Sequence, residues 1–558
     1  MTYIVKDLII GVLRTAVKQV QKEGSVPVPV ISEVTVERPQ NLDNGDFASS
    51  LPLKLAREIH GNPINIAKAI TEAVSKSAEI GDVWVAHPGF INFRLDDEWL
   101  KSQVDRILNL GRQYGSLKVG NVIKVMVEFV SINPTGPLHH GHTWGAVIGS
   151  TLVKVLKYAG YSVTAEYYVN DAGTQMDLFY RSLYARYLQA AGHHVEVPTA
   201  GYKGDYLVDT AKEIIDEHGD KFVDIPQEDA IASIGQIGLS KMVNLISSEL
   251  NKLNVEFDVW FREQELYESG EYDDVIELLR SGNYVTERDG AVWFNSTALG
   301  DDKDNVIIRS SGVPTYFASD IAYHHNKFLK RGVERVINIC GSDHQGHISR
   351  MKAAVSALGI DSDRLQFLVT QMVSLKRGTE AVKASKRTGE FITLRELMDD
   401  VGVDACRYFF LARAPESQMV FDLELAKKES SENPVYYVQY AHARISGILR
   451  NAQAQRIDWE GGDVSLLKDS NELALIRKMV YFPELVQSVA EDLHPHRIPH
   501  YALELANAFH WFYENCRVIS SIQGDEEITT ARLKLMEAAK IVLHNTLDLM
   551  NVNAPERM

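Results

Sequence analysis

The stretch Ser131-Ile132-Asn133-Pro134-Thr135-Gly136-Pro137-Leu138-His139-His140-Gly141-His142 decides how the rest of the chain is read. Just before it, residues 123–130 form a short apolar and β-branched run, the composition of a strand buried in a parallel sheet. The cluster from Asn133 to Pro137 stops that strand. From Trp144 onward, Val147, Ile148, Leu152, Val155 and Leu156 recur at helical spacing, and Gly160 supplies a left-handed C-terminal cap. Val163, Ala165, Tyr167 and Val169 then alternate as a second strand. The result is a strand–helix–strand unit whose helix opens at the histidines. Unpaired N–H groups and the positive end of the helix dipole suit a phosphate there. Gly141 leaves room for close approach of a nucleotide.

His139 and His142 can donate hydrogen bonds to phosphate oxygens while charge redistributes during attack at phosphorus. Lys383-Ala384-Ser385-Lys386-Arg387, far downstream, adds a loop whose Lys383 and Lys386 bring mobile positive charge. Such groups work by electrostatic stabilisation, without a covalent enzyme intermediate. The competing reading is zinc, with three histidines in four positions and His344 and His347 as further ligands. No Cys-x-x-Cys or His-Glu-x-x-His pattern supports it, and no metal site is expected.

With 558 residues, 45% of them hydrophobic, the chain can bury several cores, and its length suggests about three or four domains. No stretch has the length and apolarity of a membrane span, and Lys6, Asp7 and Arg14 interrupt the amino terminus too early for a secretory core. Residues 1–21 read as an amphipathic core helix. Cys340, Cys406 and Cys516 are too scattered for a disulfide framework or a zinc site; they read as small buried hydrophobes in a reducing cytoplasm. A net charge of −17 excludes a uniformly basic nucleic-acid binder and leaves room only for selected basic strips.

Residues 1–115 read as a compact α/β module, with helices at 53–60 and 64–75 and strands at 83–85 and 89–93. A nucleotide-binding domain over 116–432 follows, interrupted by a mainly helical insertion in the region 193–300. A hairpin signal stands at Arg288-Asp289-Gly290. Val336-Ile337-Asn338-Ile339-Cys340 reads as a further buried strand, running into Gly341-Ser342-Asp343-His344 at the ligand-binding end of a doubly wound sheet. Residues 433–558 are almost wholly helical, with aromatic clusters around Tyr437, Tyr440 and Phe509-His510-Trp511-Phe512-Tyr513 that suit packing more than base stacking.

The His motif and the Lys-rich loop resemble the paired HIGH and KMSKS signatures of class I aminoacyl-tRNA synthetases. The flanking Glu128-Phe129-Val130-Ser131, Tyr168-Val169-Asn170-Asp171-Ala172-Gly173 and Asp404-Ala405-Cys406-Arg407 narrow the resemblance to the arginyl-tRNA synthetase family. Asn44-Gly45-Asp46-Phe47-Ala48, the run from Asn433 to Arg444 and the final Asn553-Ala554-Pro555-Glu556-Arg557-Met558 extend it over nearly the whole chain. Two positions depart from the class pattern: His140 stands where isoleucine is usual, and Ala384 replaces methionine. Both bear on packing more than charge.

The resemblance implies a Rossmann-like catalytic domain, an N-terminal added domain that contacts tRNA, and a helical C-terminal domain that binds the anticodon. It implies activation of L-arginine by ATP, with Mg2+ accompanying the ATP as co-substrate, and transfer to tRNA(Arg). No tightly bound cofactor and no membrane partner are expected, and a cytoplasmic monomer is. His139, Gly141, His142, Lys383, Ser385 and Lys386 would hold ATP, with His139, His142, Lys383 and Lys386 catalytic. Around arginine it places Glu128, Asn133, Tyr316, Asp320 and His344, because a planar guanidinium needs directional carboxylates. Tyr437, Tyr513 and Met558 are its candidate tRNA contacts. Read without the resemblance, Asp320 and Asp171 cap helices, Tyr316 is core and Glu128 is an edge-strand charge. The alternatives are a retired paralogue that only binds RNA, which the intact histidines and lysines argue against, and a synthetase for another amino acid, which the two carboxylates argue against.

Overall fold

Val125, Met126 and Val127 are buried, as a strand covered on both faces requires. The computed structural model of the chain describes residues 4–24, 33–119, 122–382 and 392–558. It places the strand Lys124–Glu128 at the middle of a five-stranded sheet. Across the sheet the order is Leu365–Thr370, Arg335–Gly341, Lys124–Glu128, Ser162–Val169 and Val259–Arg262, with every pairing parallel. The strand order reverses beside Lys124–Glu128, so a crevice opens at the carboxyl ends of that strand and of Arg335–Gly341. Glu128 and Gly341 stand on its two sides.

Two details differ from the sequence reading. The central strand ends at Glu128, because Val130 and Ser131 turn into the left-handed region with φ of 68° and 41°. The following helix begins at His140, at the histidines as the sequence reading had it, although its polar first turn carries no apolar periodicity. Val259–Arg262, inside the stretch read as one insertion, is the edge strand of the central sheet; four residues among long helices leave no detectable period. The hairpin does turn at Asp289 and Gly290, whose φ values of 51° and 74° suit a two-residue loop.

The N-terminal module pairs the amphipathic helix Val5–Glu23 with an antiparallel sheet of Phe47–Ser49, Phe90–Leu95 and Ile80–Ala86. The C-terminal region is a bundle containing Pro434–Ala454, Ser470–Val480, Phe482–Asp492, Arg497–Asn515 and Glu526–Leu549. These regions share one continuous apolar core. Asp46 accepts from Leu95 N at 2.8 Å and pairs with Arg477 of the bundle at 3.0 Å. A Cβ on Gly115 would lie 2.3 Å from the Phe482 ring, so that close approach demands glycine.

Arg407 is fully buried, and among the described residues it hydrogen-bonds to carbonyls and hydroxyls rather than to a carboxylate. It donates to the carbonyls of Met550 (2.6 Å) and Leu253 (2.9 Å) and to Ser150 Oγ (2.9 Å). Burial lowers its pKa to about 9. Asp404, one turn earlier, accepts from Gln439 and from the backbone of Asn553. The Asp404-to-Arg407 segment therefore ties the His-motif helix to the C-terminal tail. No helix among the described residues is long and apolar enough to cross a membrane.

Candidate active site

The His-motif helix, His140–Tyr158, is capped by its own imidazoles. His139 is the N-cap, and its Nδ1 accepts from Gly141 N at 3.1 Å; His142 reaches back so that its Nδ1 accepts from His139 N at 3.3 Å. With both Nδ1 atoms accepting, each neutral ring carries its proton on Nε2 and is a donor there. Burial above all, then the neighbouring His139 and His140, pulls the His142 pKa down to about 3, so it stays neutral. A Cβ on Gly141 would sit 2.9 Å from His139 Cε1, so the glycine also makes room for the cap itself.

Lys383, Ala384, Ser385, Lys386 and Arg387 lie outside the described residues, but both flanks of their loop are fixed. Val382 N donates to Leu375 O at 2.9 Å on one side. On the other, His140 N donates to Ile392 O at 3.1 Å, His139 bridges Thr393, and Leu394 N donates to Leu138 O at 2.9 Å. Thr393 then caps the helix Leu394–Val401 in a reciprocal box with Glu396. His140 is buried with its Nδ1 3.4 Å from Ile392 O, so its imidazole adds a polar contact at a position read from sequence as bearing on packing more than charge.

At the other end of the crevice, Glu128 pairs with Lys327, which is wholly buried. Lys327 sits in a π-helical turn, Asn326–Lys330, and also donates to Asn338 Oδ1 at 3.3 Å. Asn338 in turn meets His324 Nε2 at 3.1 Å. Asp320 pairs with His347 at 2.9 Å, and Tyr316, 62% exposed at the helix start, accepts from Arg350 at 2.6 Å. Asn133 bonds Gln175. His344 is exposed and meets Asp343 at 3.6 Å.

Glu128 is on a central strand, Asp320 lies inside the helix Tyr316–His325, and Tyr316 is exposed, so the edge-charge, cap and core readings of these three do not hold. Nor does Asp171 cap: it accepts from Arg262 Nε at 2.6 Å and Gln264 N at 3.0 Å, and Gly173 precedes the helix instead.

Sequence reasoning missed Glu263. Its carboxyl is raised to about 7, chiefly by burial and further by Asp320 and Asp171, against a bond to Ser319. The buried Tyr168 hydroxyl, without a hydrogen-bond partner among the described residues, feels Glu263, Asp320 and Glu128 together. An acidic wall of this kind suits a cationic side chain. Glu263 follows the edge strand Val259–Arg262, and recognising that strand was the signal that would have found it. Lys327 carries no such signal, since only the π-turn brings it to Glu128.

On the helical bundle, Tyr437 packs on His510 with ring centroids 4.6 Å apart, and Arg444 lies over Tyr513 at 4.5 Å and Tyr440 at 5.3 Å. Trp511 and Met558 are exposed. The aromatics of this cluster thus divide between packing and open surface, and Tyr440, Trp511 and Arg444 join the candidates named from sequence.

Three family models match the chain: "Arginyl tRNA synthetase N terminal domain" over residues 8–95, "tRNA synthetases class I (R), catalytic domain" over 103–417, and "DALR anticodon binding domain" over 438–558. An arginine–tRNA ligase of Dehalococcoides mccartyi is 53% identical, with 99% of each chain covered. One of Caldanaerobacter subterraneus is 46% identical, also over 99% of each. The structure of Thermus thermophilus arginyl-tRNA synthetase superposes with a TM-score of 0.79 at 21% identity, covering 100% of both chains.

Proposed function

Because the chain belongs to the arginyl-tRNA synthetase family, we propose from its geometry how its residues share the work of that activity. The chain is an arginine–tRNA ligase: it activates L-arginine with ATP to arginyl-adenylate and transfers the arginyl group to the 3′ end of tRNA(Arg), releasing AMP and diphosphate. The observation that carries our assignment is the backbone bridge from His139 and His140 to Ile392 and Thr393, which roots the Lys-rich loop beside the His-motif helix.

In the first step an arginine carboxylate oxygen bonds the α-phosphorus while the bond to the diphosphate oxygen breaks. His139 and His142, neutral and protonated on Nε2, donate to the phosphate oxygens, and the helix start and Gly141 let the nucleotide approach the backbone. Lys383, Ser385 and Lys386 reach the same phosphates from the loop, and Mg2+ arrives with ATP as part of the substrate.

Asp320, Glu128 and Glu263 face the guanidinium, and Tyr316 forms a flat wall beside it. Asn133, and His344 from the mouth of the crevice, orient the α-amino and carboxylate groups. Tyr437, Tyr513 and Met558 meet the anticodon. The working unit is a cytoplasmic monomer; the three free cysteines fit a reducing compartment. Charging assays with arginine, lysine and citrulline test the pocket: arginine alone is expected to be charged, because citrulline lacks the cation and lysine the planar donors. Charging of citrulline at a rate near that of arginine would refute the carboxylate assignment.

A further inference from the structure

A cavity of about 540 Å³ lies among the helix Pro434–Ala454, the helix Glu526–Leu549, the tail after it, and Arg112 of the segment entering the catalytic domain. It is separate from the aromatic cluster. At 3.6 residues per turn, His442 lies roughly 140–160° around its helix from Tyr437, Tyr440 and Arg444.

Two kinds of unmet demand meet there. His442 and Ser446 are each 1% exposed, yet His442 Nε2 and Ser446 Oγ have no hydrogen-bond partner among the described residues, and neither has His544 Nε2. Buried polar atoms are almost always paired, so three on one lining point to an occupant. The second demand is for negative charge. Arg112, Arg450 and Lys540 line the cavity against Glu537 and Glu556. Glu537 is engaged by Trp459 Nε1 at 2.8 Å, and Glu556 is drawn between Lys540 at 2.7 Å and Arg450 at 3.5 Å.

We propose that this cavity is a second ligand site, for a phosphate-bearing group of mononucleotide size, in which the Glu556 carboxylate holds the place of the anion until the ligand arrives. Its volume falls among those of small-molecule pockets, roughly 300–1,000 Å³. The cations take the phosphate, and Trp459 offers a flat face to a base. The ligand can be a free nucleotide or one carried in an RNA chain, since the groups recognised are the same.

The histidines report on occupancy. His442 Nδ1 meets Pro555 O at 2.9 Å, so it donates there and Nε2 is a bare acceptor while the ring is neutral. Burial chiefly, with Lys540 and Arg112 against Glu556, lowers the His442 pKa; burial, then Arg112, His442 and Lys154 against Asp548, lowers that of His544 to about 4. A phosphate acts in the opposite sense and turns both rings into donors.

The test is histidine-ring NMR on the full chain, its active site filled with arginine and a non-hydrolysable ATP analogue, titrated with cytidine monophosphate, inorganic phosphate or tRNA(Arg). The expected result is a rise of at least one pH unit in the His544 pKa with the nucleotide or the tRNA, assigned through His544→Gln. A response to the mononucleotide marks a free-ligand site, and one to tRNA alone marks an RNA nucleotide. Arg112→Gln and Lys540→Gln, on the rim, are expected to weaken binding about tenfold, and Glu556→Gln to tighten it several-fold by removing the competing carboxylate. No shift with either ligand overturns the proposal, as does a shift unchanged in the rim variants. Inorganic phosphate acting as strongly as the nucleotide overturns the role of Trp459, and a Glu556→Gln variant that binds no tighter overturns that of the tail.

Discussion

At the proposed nucleotide end of the crevice, the groups assigned to phosphate are set by backbone: His139 and His142 are oriented by amide N–H groups of their own helix start, which main-chain bonds join to residues 392–394. At the proposed amino-acid end, side chains set side chains: Lys327 holds Glu128, His347 holds Asp320 and Arg350 holds Tyr316. Triphosphate recognition is common to many enzymes and can be built from a local motif. Selecting one guanidinium requires charges placed by residues distant in sequence.

If that contrast holds, the largest loss comes from the backbone-set end. His142→Ala is expected to slow adenylate formation by about 10²–10³, the usual cost of one preorganised donor, with little change in arginine affinity. Single-turnover measurement of the adenylate reads it directly, and a normal rate would dissolve the distinction. At the other end, Asp320→Asn removes a charge-assisted bond worth about 1.5–3 kcal/mol, a fall of about 10- to 100-fold in kcat/KM for arginine. The KM for ATP should stay within about twofold, and parallel losses for both substrates would show that the two ends are not separable.

A smaller effect is expected outside the crevice. Trp511→Ala should weaken tRNA(Arg) binding by about 1 kcal/mol, near fivefold, because one exposed ring offers one stacking face. Filter binding checks this, and unchanged affinity would place the tRNA surface elsewhere on the bundle.

The smallest effect concerns pH. Burial lowers the pKa of His510 and of His544 to about 4 in the folded chain, against an ordinary value near 6.5 when unfolded. Below that ordinary value the unfolded chain binds more protons than the folded one. The bundle therefore loses stability as pH falls from about 6.5 towards 4 and keeps it above that window. Melting temperature followed over this range should drop, and His544→Gln should drop less. A variant that tracks the parent at every pH would contradict the assignment to His544.

How far all this was legible from sequence differs by region. The strand before the His motif was readable as a short buried apolar run, and the helix after it because the buried Val147, Ile148, Leu152, Val155 and Leu156 recur at helical spacing. Val259–Arg262 was not, being too short to show one, and with it went Glu263. Asp320 and Tyr316 were placed by family likeness alone, since nothing local separates a pocket carboxylate from a helix cap. Lys327 depends on a single extra residue in a helical turn, which no pattern of apolar positions records. Removing everything after Glu432 would delete the whole bundle proposed to bind the anticodon. The shared core and Arg407 show that such a cut would also strip packing from the catalytic domain, so a surface change such as Trp511→Ala isolates RNA binding better.

Arg407 also sets an order of events during synthesis. Domains usually fold as units from the N-terminus while the chain is being made. Here the guanidinium of Arg407 finds its acceptor at Met550 only after a further 143 residues have been made. Until then the guanidinium has its catalytic-domain partners, Leu253 O and Ser150 Oγ, but lacks the acceptor at Met550, so its grip on the His-motif helix is completed late. A chain cut short before Met550 would therefore carry a catalytic domain whose His-motif helix lacks this tie to the tail.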